Sequence, residues 1–196
     1  MNSRRFLTVI VGIAIGGLVA CSPESFSPSV DSTMLENRAT GGDFVEYVWH
    51  AGGDFFGLPD VSFAANGDRI EINGDGELSI HPKSVTGGGT FVHKDADGNV
   101  LAEGTWAAVR LMSFQSYGPS PDFPSIFEAG KAIIAVDLSP DGGGPSIGGT
   151  FTLVCILLGG EADDPGSAFE GMKLSLRGGP NFNRPDPPSP TLFIRQ

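Results

Sequence analysis

An all-β fold is predicted for this chain, either an antiparallel β-sandwich or a β-barrel of about eight or nine strands. The main observation is a period of two in the apolar residues, which is the spacing of strands with one buried face. Turn signals separate these segments, helical signals are nearly absent, and the 196 residues include 29 glycines and 15 prolines.

Apolar residues at alternate positions mark the individual strands. The segment after Gly171 is the clearest, because Met172, Leu174 and Leu176 would face inward while the residues between them face solvent. Further strands are predicted around Val45, Tyr47 and Trp49, around Ile70 and Ile72, around Leu78 and Ile80, around Ile134, Val136 and Leu138, from Thr150 to Leu158, and from Thr191 to Ile194. Turns are predicted at Asn66-Gly67, at Asn73-Gly74-Asp75-Gly76, at Asp97-Gly98 and at Asp141-Gly142-Gly143-Gly144.

A hairpin is predicted for the segment from Thr90 to Trp106. A bulged turn with Gly98 in the left-handed conformation would place Val92 opposite Ala102 and so set the register of the two strands.

The second strand of this hairpin is predicted to continue to Phe114, with Met112 and Phe114 in phase with the core. Arg110 falls on the same face and needs a partner or an exit to solvent. Two proline-rich stretches, Ser116–Gly130 and Pro180–Pro190, are predicted to be irregular.

The N-terminus has the layout of an export signal. Arg4 and Arg5 precede an uncharged stretch from Phe6 to Ala20, which ends in small residues before Cys21. That stretch is 15 residues long. A membrane-spanning helix needs about 20 residues, so a cleaved signal is favoured over a retained helix.

The run Leu18-Val19-Ala20-Cys21 resembles the lipobox of prokaryotic lipoproteins. The resemblance implies that Cys21 receives a diacylglyceryl thioether and that the bond between Ala20 and Cys21 is cut. The lipid would then anchor the protein in a membrane of the cell envelope. Ser22 rather than an aspartate follows the cysteine, which implies outer-membrane delivery if the organism is Gram-negative.

Three regions are therefore predicted: a signal peptide over residues 1–20, a flexible tether over 21–42, and a single β domain over 43–196. The tether is rich in Ser, Pro and Thr, and its alternative is an ordered N-terminal strand. Cleavage would leave 176 residues, which suits one domain with one core.

Part of the predicted domain resembles segments of uncharacterised exported β proteins. The residues concerned are Thr86-Gly87-Gly88-Gly89-Thr90, Gly104-Thr105-Trp106 and Ser113-Phe114-Gln115-Ser116-Tyr117-Gly118. This resemblance implies no activity, because glycine-rich hairpins recur in unrelated proteins.

The charge excludes nucleic acid as a partner. Loss of Arg4 and Arg5 with the signal leaves 10 basic residues against 23 acidic ones, a formal charge of −13. Nucleic-acid binding depends on neutralising phosphates with Lys and Arg, and anionic lipid headgroups would be repelled in the same way. Membrane attachment is therefore assigned to the acyl chains on Cys21.

No catalytic residue is predicted. Acylation of Cys21 would leave Cys155 without an intrachain partner, and its apolar surroundings predict an inert buried thiol. The run Gly144-Pro145-Ser146-Ile147-Gly148 satisfies the G-x-S-x-G string of serine hydrolases. It follows a glycine-rich turn and precedes a strand, whereas a nucleophile elbow joins a strand to a helix.

No metal or cofactor is predicted either. Asp95, Asp97 and Asn99 alternate like the ligands of a calcium loop, but the EF-hand spacing is not met and solvated turn carboxylates explain the pattern. The three histidines, His50, His81 and His93, lack the spacing of a metal motif, so only tertiary proximity could make them ligands.

Aromatic residues are the candidates for ligand binding. Trp49, Tyr117 and Phe123 are predicted to present rings that stack on a ligand, and Phe55 and Phe56 lie close to Trp49 in sequence. The alternative is that these rings fill the core.

The sequence thus predicts a lipid-anchored cell-envelope protein whose acidic β domain is a binding or structural module. Its ligand could be a small molecule, a glycan or a protein. The alternative is an exported hydrolase using carboxylates or a metal, which is disfavoured because no compact catalytic constellation is present.

Overall fold

The structure, a computed structural model, describes residues 45–119, 121–157, 169–186 and 189–196. The predicted signal peptide, the tether and Cys21 lie outside these residues.

The prediction of an all-β fold is confirmed. The described residues contain β1 (Glu46–Ala51), β2 (Asp60–Ala64), β3 (Arg69–Ser79), β4 (Ser84–Val85), β5 (Gly88–Lys94), β6 (Val100–Pro119), β7 (Phe127–Pro140), β8 (Ile147–Cys155), β9 (Gly171–Leu176), β10 (Asn181–Pro185) and β11 (Thr191–Arg195). Eleven strands in this part of the chain exceed the eight or nine predicted. The strands β2, β4 and β10 were missed because they are short, and because the buried positions of β2 include the polar residues Asp60 and Ser62.

All strand pairs are antiparallel, and the pairings close on themselves. The order is β1-β11-β7-β6-β5-β3-β2-β10-β9-β8, with additional pairs β1–β3 and β7–β8. The first half of β3, residues 69–72, pairs with β2, and residues 74–79 pair with β1. The long strand β7 divides in the same way between β8 and β11. The result is a barrel-like sheet in which β3 and β7 each join two sets of strands.

The interior of this sheet is filled by side chains. Trp49, Phe151, Phe182 and Phe193 are fully buried. The ring of Trp106 meets that of Phe151 edge-on, with centroids 4.7 Å apart. Aromatic residues bury the largest apolar areas, so they contribute most to the stability of this core.

The turn predicted at Asn73-Gly74-Asp75-Gly76 is wrong, because these residues lie inside β3. Their glycines serve packing rather than chain reversal. A Cβ on Gly76 would lie 2.7 Å from Cζ2 of Trp49, and one on Gly74 would overlap Cζ2 of Trp106. The missing side chains therefore make room for the two indole rings.

The hairpin of β5 and β6 forms as predicted, but its register differs by one residue. Gly98 has a φ of +89°, as expected for the bulged turn. Val92 lies opposite Glu103 rather than Ala102, because a bulge between His93 and Lys94 inserts one extra residue into β6.

Irregularities in β6 also change which side chains face the core. Bulges between Ala108 and Arg110 and between Leu111 and Ser113 shift the alternation. As a result Leu111 is buried, Met112 is exposed and Arg110 leaves the core face for solvent. The expectation that Met112 faces the core is wrong.

Two predicted irregular stretches are partly strand. β6 extends to Pro119 and β7 begins at Phe127, so residues 116–119 and 127–130 pair within the sheet. Within Pro180–Pro190, the segment Asn181–Pro185 forms β10. It pairs with β2 and β9, with a register shift after Phe182.

Candidate ligand-binding groove

The connection between β1 and β2, residues 52–59, is a closed loop fixed by its own backbone. Gly53 N donates to Leu58 O at 2.9 Å, and Gly57 N donates to Gly53 O at 2.8 Å. Gly52 has a φ of +60°, and a Cβ there would lie 2.9 Å from the carbonyl carbon of Pro59. Glycine is therefore required where this loop begins.

Strands β1, β3 and β5 place four polar side chains on the sheet beside this loop. His50 lies directly opposite Asp75, and Asn73 lies directly opposite Thr90. Paired residues share a face of the sheet. Because Trp49 is buried, its neighbour His50 points to the other face, away from the core.

The loop and these strands enclose an open groove of about 940 Å³. Asn73 joins the two walls, because its Oδ1 accepts a hydrogen bond from Gly53 N at 2.9 Å. Backbone rather than side chain forms much of the surface. The lining residues are His50, Gly52, Gly53, Asp54, Phe55, Gly57, Leu58, Pro59, Asn73, Gly74, Asp75, Gly88, Gly89 and Thr90.

Phe55 is the main apolar surface of the groove. Its ring stacks on His50 with centroids 4.3 Å apart and an interplanar angle of 15°, and Phe56 meets it edge-on at 4.9 Å. Phe55 nevertheless remains 53% exposed. An apolar ring held in place by two neighbours and still open to water is a preformed contact surface for a ligand.

The groove is acidic. Asp54 and Asp75 line it, and its described lining includes no Lys or Arg. Burial lowers the pKa of His50, and the charge of Asp75 opposes this only in part. His50 is therefore neutral at neutral pH, and the groove carries negative charge alone.

The three residues predicted to bind ligand are not brought together here. Trp49 is fully buried and packs against Trp106 with ring centroids 5.8 Å apart, so its burial favours the core role. Tyr117 is half-buried near the end of β6, and Phe123 is exposed in the connection to β7. The described lining of the groove includes none of the three.

Sequence reasoning missed most of the groove. Phe55 was noted only as a neighbour of Trp49, and the segment containing Asn73 and Asp75 was assigned to a turn. The available signal was the pair of glycines, Gly52 and Gly53, placed between an alternating strand and an exposed Phe55.

Two carboxyl groups elsewhere in the fold have raised pKa values, the fully buried Asp60 and the partly buried Glu170. Asp60 is fully buried and accepts hydrogen bonds from Thr191 Oγ1 at 3.0 Å and Met172 N at 3.2 Å. Burial raises the pKa of Asp60 to about 7. Burial raises the pKa of Glu170 to about 8, and the charge of Asp60 adds to that rise.

A second buried carboxylate, Glu128, connects side chains from several strands. It accepts hydrogen bonds from Tyr47 Oη at 2.8 Å and Ser116 Oγ at 2.6 Å, and Arg195 Nη1 lies 3.3 Å away. Burial, with the bond to Glu128, raises the pKa of Tyr47 to about 12. These contacts connect β1, β6, β7 and β11.

The other motifs have structural roles. Asp95 caps its own turn, accepting from Asn99 Nδ2 at 2.9 Å, Asn99 N at 2.8 Å and Asp97 N at 2.9 Å, and these bonds lower its pKa. Ser146 lies in an exposed turn with its Oγ 3.0 Å from that of Ser139. Cys155 is buried, and burial raises the pKa of its thiol.

The histidines have different neighbours and do not form a common site. His93 Nε2 lies 3.2 Å from Asp68 Oδ2, and its ring meets Phe182 edge-on. His81 is exposed beyond β3. Among the residues described, no three His, Cys, Asp or Glu side chains come together as metal ligands.

Among the residues that the structure describes, no helix is long and apolar enough to cross a membrane. Comparison with known proteins gave no match to a family model, to a curated protein or to a solved structure.

Proposed function

We propose that this chain is a lipid-anchored protein of the cell envelope whose acidic β domain is a non-enzymatic binding module. The observation that carries the binding role is the groove of about 940 Å³ beside the loop 52–59, with the half-exposed ring of Phe55 in its wall. A groove of this size with one aromatic surface and a few fixed polar groups is typical of small-ligand sites.

The anchor in this proposal rests on the lipobox-like run that ends at Cys21. Two acyl chains are enough for stable attachment, since each buried methylene contributes about 0.8 kcal/mol. Attachment through lipid also suits the charge, because an acidic domain is repelled by anionic headgroups.

A hydrolase is the weaker alternative because the two carboxyl groups with raised pKa values, Asp60 and Glu170, lie away from the groove. Asp60 is fully buried, and its oxygens are used by Thr191 and Met172. Neither Asp60 nor Glu170 belongs to the described lining of the groove. A general acid must reach the atom that it protonates.

Metabolic labelling with a fatty-acid analogue tests the anchor in a bacterial host that processes lipoproteins. The wild-type protein should incorporate label and sediment with membranes, whereas Cys21→Ala should lose both properties. The matched control is Cys155→Ala, which removes the other cysteine and should label like the wild type. Equal labelling of Cys21→Ala and wild type would contradict the proposed anchor.

A further inference from the structure

We infer that the groove binds a neutral carbohydrate, with one face of a pyranose ring stacked on Phe55. The inference rests on the proposed binding function and adds the chemical class of the ligand. It follows from the shape, polarity and charge of the groove taken together.

The exposed ring of Phe55 accounts for the stacking. A pyranose ring carries C–H groups on its faces and hydroxyl groups around its edge, so it presents an apolar face to an aromatic ring. Phe55 is restrained by His50 at 4.3 Å and Phe56 at 4.9 Å, so little side-chain entropy is lost when a sugar covers it. Its 53% exposure leaves apolar area for that contact.

The polar side chains suit hydroxyl groups. Asp54 and Asp75 are exposed hydrogen-bond acceptors, and Thr90 can both donate and accept. Asn73 is held in one orientation by the bond from Gly53 N to its Oδ1. The groove thus offers an apolar ring for the C–H face of a sugar, and hydrogen-bond donors and acceptors for the hydroxyl groups at its edge.

Glycine backbone forms part of the groove surface. Gly74, Gly88 and Gly89 lie on adjacent positions of β3 and β5 and contribute backbone without side chains to its surface. An open groove of about 940 Å³ accommodates a ring with substituents on several carbons.

Charge excludes the common anionic ligands. Nucleotides and phosphorylated metabolites would meet Asp54 and Asp75 with no Lys or Arg in the described lining to balance them. A neutral ligand meets no such penalty. A cationic ligand would be attracted by the same carboxylates, so the experiment must separate it from a sugar.

The experiment is calorimetric titration of the full-length protein in a detergent without a sugar headgroup. The probes are cellotetraose, maltotetraose, mannotetraose and chitotetraose, each to about 10 mM. At least one should bind, and raising the salt concentration should leave its affinity nearly unchanged, since the ligand carries no charge.

Paired variants locate the contact. Phe55→Ala should weaken binding about tenfold, whereas Phe123→Ala, which removes an exposed ring outside the groove, should leave it unchanged. Asp75→Asn should weaken binding several-fold, with Asp141→Asn in an exposed turn as its control. Circular dichroism checks that each variant is folded.

The contrary outcomes are distinct. If none of the four sugars binds, or if Phe55→Ala binds as well as wild type, the carbohydrate inference is overturned. Spermidine is titrated as a cationic probe. If spermidine binds and the sugars do not, and if salt and Asp75→Asn weaken its binding, the carbohydrate inference is overturned but the groove remains a binding site. If neither sugars nor spermidine bind, the binding role in the proposed function fails as well.

Discussion

Asp60 shows how one buried carboxyl group can connect distant parts of the chain. Its two oxygens accept from Met172 N in β9 and from Thr191 Oγ1 in β11, while its own residue begins β2. A buried carboxylate destabilises the folded state unless it is hydrogen-bonded or protonated. Asp60 accepts two hydrogen bonds, and its raised pKa favours the protonated form.

Stability should depend on pH through this residue. The pKa of Asp60 rises from 3.8 to about 7 on folding, so the folded state holds its proton more tightly than the unfolded state. Its contribution is therefore fully present below about pH 4 and is lost as pH rises to about 7. Glu170, with its pKa raised to about 8, acts in the same direction.

Urea unfolding of wild type and Asp60→Asn at several pH values measures this effect. The free energy of unfolding of wild type should fall by a few kcal/mol relative to the variant between about pH 4 and pH 7. Asp141→Asn, which removes an exposed carboxylate, should follow the wild-type profile. A constant difference between wild type and Asp60→Asn across that range would contradict the explanation.

At the scale of elements, glycines shape both the core and the groove. Gly76 in β3 lies against Trp49, and the space where its Cβ would be is already occupied. Gly52 begins the loop that forms the groove wall. The sequence predicted a turn at Gly76, which lies inside β3, whereas Gly52 lies in the loop between β1 and β2.

Gly76→Ala should destabilise the protein by about 1–3 kcal/mol or more. The added Cβ would lie 2.7 Å from both Gly87 Cα and Trp49 Cζ2, and the backbone atom cannot move aside cheaply. Gly142→Ala is the matched control, because a Cβ there meets nothing within 4 Å. The urea midpoints should separate the two variants, and equal midpoints would refute the packing role of Gly76.

The inward-facing residues of several strands could be predicted from the sequence. The inward residues of β1, β3, β7 and β9 were predicted from alternation alone, because one buried face imposes a period of two. The predictions failed in β6, where bulges at Arg110 and Leu111 shift the phase, since a bulge depends on the neighbouring strand and leaves no local signal.

At the scale of the whole molecule, the groove could not be predicted because its parts are distant in the chain. His50, Asn73 and Thr90 become neighbours only when β1, β3 and β5 pair in their observed register. Neither composition nor spacing specifies that register. The all-β class, by contrast, follows from features repeated along the whole domain.

The molecule thus combines a lipobox-like N-terminus with a closed antiparallel sheet that has a ligand-sized groove. The proposed account requires that the folded domain reach the envelope as an acylated protein. In the proposed function, the acidic domain and its groove act at the cell envelope.

The mass of the intact protein from native membranes tests this account most directly. The account predicts a chain that begins at Cys21, lacks residues 1–20 and is heavier than that polypeptide by a diacylglyceryl group, with or without a further acyl chain. An unmodified chain that begins at Met1 and is recovered from the soluble intracellular fraction would contradict it.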